Sequence, residues 1–160
     1  MARPFSVLFV CLGNICRSPT AEGVMKHLVT QAGLSAQIHI DSAGTAGWHE
    51  GKRSDDRMRR HAAGRGYALD SFARQVRDHD FATFDLILVM DRQNLRDIRA
   101  FNPAGEQMHR VRLFCEFAPD REETEVPDPY YGGAEGFEQV LDIVENGCKH
   151  LLRHIQSQLS

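Results

Sequence analysis

The chain has 160 residues, enough to bury a core of its own as one domain spanning 1–160. With 42% hydrophobic and 26% charged residues it has the composition of a soluble globular protein, and a net charge of −3 excludes a global field that gathers nucleic acid. The four cysteines form no C-x-x-C pair and the eight histidines show no ligand spacing, so no zinc site, disulfide framework, metal or other cofactor is expected.

Val7 to Val10 is an apolar run that stops at Cys11. Arg17, Ser18 and Pro19 follow. Ser is a favoured N-cap and Pro a favoured first helical residue, so the order strand, tight loop, helix N-terminus is expected. A loop so placed gathers backbone N–H groups at the positive end of a helix dipole and forms an anion site. Arg17 adds a planar fork that fits two oxygens of a phosphate. Cys11 falls at the base of that cradle, where a positive field favours thiolate over thiol. A thiolate under a tetrahedral oxyanion is a nucleophile aimed at phosphorus.

Ala21, Val24, Met25, Leu28, Val29 and Ala32 then recur at helical spacing, stopped near Gly33. Residues 37–41 alternate like a strand, with Ser42 as a turn residue after it. A Gly-rich loop, 44–52, holds the single tryptophan, Trp48. Residues 54–65 are charged and helix-compatible, and Lys52, Arg53, Arg57, Arg59 and Arg60 read as a solvated face or as a docking patch for a phosphoprotein. Residues 67–83 look irregular. Asp85 to Met90 suits a buried parallel strand. Asp91 caps a helix bearing Leu95, Ile98 and Phe101, ended at Asn102-Pro103. Val111 to Phe114 is a short fourth strand. Pro127-Asp128-Pro129-Tyr130-Tyr131-Gly132-Gly133 precedes a last helix with a regular stripe from Phe137 to Ile155.

Strands alternating with helices imply an α/β fold, a parallel sheet with helices on both faces. Ligands bind such sheets beyond the carboxyl ends of the strands. Cys11, Ser42 and Asp91 all fall at such ends. No secretory leader and no transmembrane segment are expected. A working thiol needs a reducing compartment, which suggests the cytoplasm.

The pattern Cys11-x5-Arg17-Ser18 belongs to cysteine-dependent phosphatases, and the fuller string V-C-L-G-N-I-C-R-S-P near the start of the chain resembles the low-molecular-weight protein tyrosine phosphatases. The resemblance extends over nearly the whole chain and implies a four-stranded parallel sheet in the order 2-1-3-4. It implies hydrolysis of phosphotyrosine and aryl phosphates in proteins through a phosphocysteine. Cys11, Arg17 and Asp128 would be catalytic, with Asp128 first as acid and then as base. Leu12, Gly13, Asn14, Ile15, Cys16 and Ser18 would form the substrate-binding loop, and Trp48 and Tyr130 its outer walls. Ser42 and Tyr131 would support them. Cys16 would trap oxidised Cys11 as a disulfide. Cys115 and Cys148, in apolar stretches, read as inert core residues.

Many members carry a His where this chain has Ser71, which leaves the support of Asn14 in doubt. Asp120 is a rival acid in a charge-rich stretch. Asp91 matches an acidic family residue and equally reads as a helix cap. Three other functions are weighed. An arsenate reductase needs a pair of later cysteines, and none lies between Cys16 and Cys115. An arginine phosphatase usually has Thr where this chain has Ile15. A phosphate-binding module would need neither Cys11 nor Asp128. The partners expected are phosphotyrosine proteins, with no nucleic acid and no membrane, and the chain is expected to be a monomer.

Overall fold

The structure, a computed structural model, describes residues 3–102, 105 and 107–159. Its centre is β1 (Phe5–Cys11), whose residues from Ser6 onward are all buried. A strand covered on both faces by helices has no solvent side, which is why its sequence is continuously apolar rather than alternating. β1 pairs in parallel with β2 (Ile38–Gly44), Cys11 opposite Gly44, and with β3 (Leu86–Val89), Val10 opposite Val89. β3 pairs in parallel with β4 (Val111–Leu113). The strand order is β2-β1-β3-β4, as the family resemblance implies.

The helices are α1 (Arg17–Gln31), α2 (Asp56–Ala63), the single turn α3 (Asp80–Thr83), α4 (Arg92–Phe101) and α5 (Ala134–Leu159). Alternate residues of β1 serve two cores. Val7, Phe9 and Cys11 pack with the apolar faces of α1, α2 and α5, whereas Leu8 and Val10 pack with Phe81, Phe84 and Ile98. The stripe of α5 is buried at Phe137, Val140, Leu141, Val144, Cys148, Leu151 and Ile155.

Several boundaries differ from the sequence reading. α1 begins at Arg17, not after a Ser18 cap, and Pro19 is its third residue. A proline in the first turn costs nothing there, because that N–H has no intrahelical partner. Ser18 is thereby released from capping. Ser42 lies inside β2, which runs on to Gly44. Phe114 opens a 3₁₀ turn, Phe114–Phe117, instead of ending β4. Pro103, expected to stop α4, lies outside the described residues. No helix among the described residues is long and apolar enough to cross a membrane.

Candidate active site

The chain turns sharply between β1 and α1. Asn14, at φ 57°, is the one non-glycine among the described residues in the left-handed region. Such a conformation persists only when its surroundings over-determine it, and here they do. The backbone N–H of Asn14 donates to Cys11 Sγ at 3.3 Å. Its side-chain Oδ1 accepts from the N–H of Arg74 at 3.0 Å. Its Nδ2 donates to Ser18 Oγ at 2.7 Å and to Ser42 Oγ at 3.0 Å. The N–H groups of Thr45 and Ala46 donate to the carbonyls of Cys11 and Leu12. Gly44 lies directly beneath: a Cβ there would sit 2.8 Å from the Leu12 carbonyl oxygen.

The hydroxyl protons in this cluster have one consistent arrangement. Ser42 Oγ lies 2.5 Å from Glu22 Oε1, and a carboxylate only accepts. Ser42 therefore donates to Glu22 and accepts from Asn14. Ser18 also accepts from Asn14, so its own proton is free for Cys11 Sγ, 3.0 Å away, rather than for the more distant Ala43 carbonyl at 3.4 Å. Glu22 is buried, and Lys26 Nζ neutralises it at 2.5 Å. The loop's support is thus complete without a ring at Ser71, which instead borders a small cavity of about 150 Å³ beside Glu22 and Lys26.

Arg17 is 3% exposed. Burial opposes its charge, yet Cys11, Asp91 and Asp128 together raise its pKa. Nη1 donates to Asp91 Oδ2 at 2.6 Å and to the Val126 carbonyl at 3.1 Å, and Nη2 lies 3.7 Å from Asp128 Oδ2. Asp91 does both things that the sequence allowed. Its Oδ1 accepts from Asn94 N–H at 2.7 Å to cap α4, and its Oδ2 holds Arg17.

Cys11, Gly13, Cys16 and Arg17 line a cleft of about 200 Å³. Leu12, Ile15, Trp48, His49, Asp128, Tyr130 and Tyr131 complete its lining. Trp48 is 71% exposed and Tyr131 93%, so neither belongs to the core. Tyr130 donates its N–H to Asp128 Oδ1 at 3.1 Å. Cys16 is a free, buried thiol whose pKa is pushed well up, first by burial and then by Asp55. Cys148 is fully buried, and Cys115 is partly buried with its thiol pushed up to about 11, mainly by burial. The described residues hold no cluster suited to a metal ion.

Residues 6–160 match the family described as low molecular weight phosphotyrosine protein phosphatase. The chain belongs to that family. A relative from Synechocystis is 50% identical over 153 residues, covering 96% of this chain and 98% of its own. The low molecular weight protein-tyrosine-phosphatase of Streptomyces coelicolor is 43% identical over 157 residues, covering 97% and 96%. Among solved structures, a protein tyrosine phosphatase from Entamoeba histolytica with Hepes in its active site matches with a TM-score of 0.93 at 42% identity, over 98% of this chain and 99% of that one.

Against this phosphatase fold the expected site residues sort into two groups. Cys11, Leu12, Gly13, Ile15, Cys16, Arg17, Trp48, Asp128, Tyr130 and Tyr131 meet at the cleft. Asn14, Ser18 and Ser42 lie behind it, 2%, 0% and 2% exposed, with their side chains engaged in the loop network. The rival Asp120 is elsewhere, bonded to Asn146 and His150 of α5. Sequence reasoning missed Glu22, His49 and the separate station of Arg57. Glu22 had a signal: it stands four residues after Ser18 on one helical face. His49 had none, since nothing local distinguishes it from the other histidines.

Proposed function

We propose that this chain hydrolyses phosphotyrosine in proteins, and aryl phosphates generally, in two displacements at phosphorus. The observation that carries the reading is the convergence of Cys11 Sγ, the Arg17 guanidinium and the Asp128 carboxyl on one cleft. Arg17 Nη1 is committed to Asp91 and Val126, so Nε and Nη2 are the fork left for two phosphate oxygens. Backbone N–H groups of residues 12–17 take the remaining charge.

Cys11 Sγ, as thiolate, attacks phosphorus. The bond to the phenolic oxygen breaks, and that oxygen takes the proton of Asp128. Water then attacks the phosphocysteine and gives a proton to the Asp128 carboxylate. The S–P bond breaks, inorganic phosphate leaves, and the Ser18 hydroxyl donates to the departing thiolate. Leu12, Ile15, Trp48 and Tyr130 provide apolar walls that suit a phenyl ring and leave a shorter phosphoserine out of reach of Cys11. No step calls for a metal.

The same reading assigns the whole chain, 1–160, to one phosphatase domain that works as a monomer. It places the protein in the cytoplasm, where thiols stay reduced. Oxidation is reversible in this scheme. A peroxide converts Cys11 to a sulfenic acid, and the Cys16 thiol displaces water from it to give a disulfide. Because burial keeps Cys16 protonated, that closure is slow relative to a fully ionised thiol.

The decisive experiment is hydrolysis of matched phosphotyrosine, phosphoserine and phosphoarginine peptides in the presence of a chelator, beside Cys11→Ser. Turnover confined to phosphotyrosine, and lost in the variant while phosphate still binds, is the expected result. Turnover by Cys11→Ser overturns nucleophilic catalysis at Cys11. Cleavage of phosphoarginine overturns the reading of the walls.

A further inference from the structure

Among the described residues, Arg57 is the member of the basic cluster whose side chain bonds to a distant part of the chain, the Tyr130 carbonyl, whereas Arg59 bonds only locally, to Ser54 and Asp56. It stands in the first turn of α2, and two anchors hold it. Asp55 grips its guanidinium, with Nε donating to Oδ1 at 3.2 Å and Nη2 to Oδ2 at 2.9 Å. Asp55 is itself fixed. Its Oδ1 caps α2 by accepting from the N–H groups of Arg57 and Met58. Its own N–H donates to the Ile15 carbonyl, inside the Cys11–Arg17 loop, at 2.8 Å.

From there Arg57 reaches the segment that carries Asp128 and Tyr130. Nη2 donates to the Tyr130 carbonyl at 3.0 Å. The guanidinium carbon lies 5.2 Å from the centre of the Tyr130 ring and 4.9 Å from that of Phe137, cation–π range for both. Tyr130 donates its N–H to Asp128. A continuous chain of contacts therefore runs from Ile15 through Asp55, Arg57 and Tyr130 to the Asp128 carboxyl.

The segment 127–133 has few other restraints. Its backbone hydrogen bond inside the segment is local, Gly132 to Pro129. Among the described residues, the side chains outside it that bond to it are Arg17 and Arg57 alone. Gly133 sits in open space at its far end, and a Cβ on Gly132 would meet only the Pro129 carbonyl, at 3.7 Å. Arg17 approaches the carboxyl from the phosphate side. Arg57 is the counter-anchor on the α2 side, and it fixes both ends of the turn, Tyr130 at one and Phe137 at the start of α5 at the other.

We infer that Arg57 is a positioning residue: it ties the loop carrying Asp128 and Tyr130 to the phosphate-binding loop, so that acid and wall stay in register with the bound phosphate. The inference rests on the reading of Asp128 as the proton donor. Arg57 itself touches neither phosphate nor leaving group. Its loss should weaken proton delivery while leaving anion binding intact.

The test is a series of aryl phosphates from activated to basic phenols, read as kcat/KM at one pH, with inorganic phosphate as a competitive inhibitor. Arg57→Ala should lower kcat/KM about tenfold for the most basic phenol and by less than about threefold for the most activated one, with the phosphate inhibition constant unchanged. Arg57→Lys keeps the charge near the rings and one donor, and should recover about half of that loss on a logarithmic scale; it also serves if Arg57→Ala folds poorly. Equal slowing across the series, or weakened phosphate binding in step with it, would mean that Arg57 only supports the fold, and would overturn the inference. Asp128→Ala in the same series separates the two claims. If it steepens the dependence on the phenol and Arg57→Ala does not, this inference alone falls. If Asp128→Ala leaves the slope unchanged, the reading of Asp128 falls and this inference with it.

Discussion

Glu22 shows how one buried carboxylate can set the sense of several hydrogen bonds at a distance. It can only accept, so it orients Ser42, then Asn14, then Ser18, and so delivers a donor to Cys11. The acceptor, more than the charge, is what this chain of bonds uses. In Glu22→Gln one oxygen can still accept from Ser42, while the amide N–H groups face Lys26. Lys26 is half exposed and can swing into water. We expect Glu22→Gln to lose about 1 kcal/mol of stability or less and to keep turnover within a few-fold. Glu22→Leu leaves the buried Ser42 hydroxyl without its acceptor, and should cost at least about 2 kcal/mol and slow turnover tenfold or more. Urea unfolding and kcat for both variants decide it; a Gln variant as damaged as the Leu variant would mean that charge is what matters. The cleft itself was legible from the sequence because Cys11, Arg17 and Asp128 are chemically distinctive and lie in short, turn-like contexts. Glu22 and Arg57 were less so, because a helical Glu four residues before a Lys, and an Arg among arginines, read equally well as solvated surface pairs.

Elements were easiest to read where burial is two-sided. β1 and β3 are continuous apolar runs, and α5 carries a stripe that no strand could satisfy. Their ends were harder: β2 runs on to Gly44 because the Gly44 N–H donates to the Arg74 carbonyl and the Thr45 N–H to that of Cys11, and α1 starts at Arg17 with no side-chain cap at Cys16. The close approach of α5 to the 3₁₀ turn after β4 is set at Gly147. A Cβ there would lie 2.3 and 2.4 Å from two ring atoms of Phe114, which is fully buried and packs edge-to-face on Phe9 at 5.9 Å. Gly147→Ala sets two effects against each other. Helix propensity favours Ala by about 1 kcal/mol. Overpacking against a ring with no room to move costs about 1–3 kcal/mol, and clashes this short belong at the upper end. We expect a net loss of about 2 kcal/mol, seen as a drop of roughly 4–8 °C in Tm. A stabilised variant would show that α5 can slide outward at little cost. Since Phe9 leads directly to Cys11 along β1, the variant should also raise KM for aryl phosphates more than the distance to the cleft suggests.

At the scale of the whole molecule, the layer formed by α2 and α5 is closed by charge. Arg65, in the turn after α2, meets Glu138 at 2.7 Å, Asp142 at 3.0 Å and Glu145 at 2.7 Å along one face of α5. The 138, 142, 145 spacing places these acids on one helical stripe, which was visible in the sequence; their shared partner was not, because it lies more than 70 residues away in the chain. Arg65, and next His61, hold the Glu138 carboxyl below its ordinary value. A carboxylate whose pKa is lower in the folded state contributes stability above its unfolded pKa of about 4.3, and that contribution fades as pH falls below it. The acids are partly exposed, so solvent screens the interaction, and Arg65→Ala should cost about 1 kcal/mol at pH 7. It also leaves three like charges on one stripe, with His61 still on Glu138 and the Tyr67 hydroxyl still on Glu145. The gap between variant and parent should therefore narrow as pH falls below about 4.3, and it should shrink in high salt at pH 7. Urea unfolding of both proteins at pH 7 and pH 3, with and without added salt, measures this directly. A gap that is the same at both pH values would mean that Arg65 holds α2 to α5 by packing its aliphatic stem, and that the layer would remain closed without its charge.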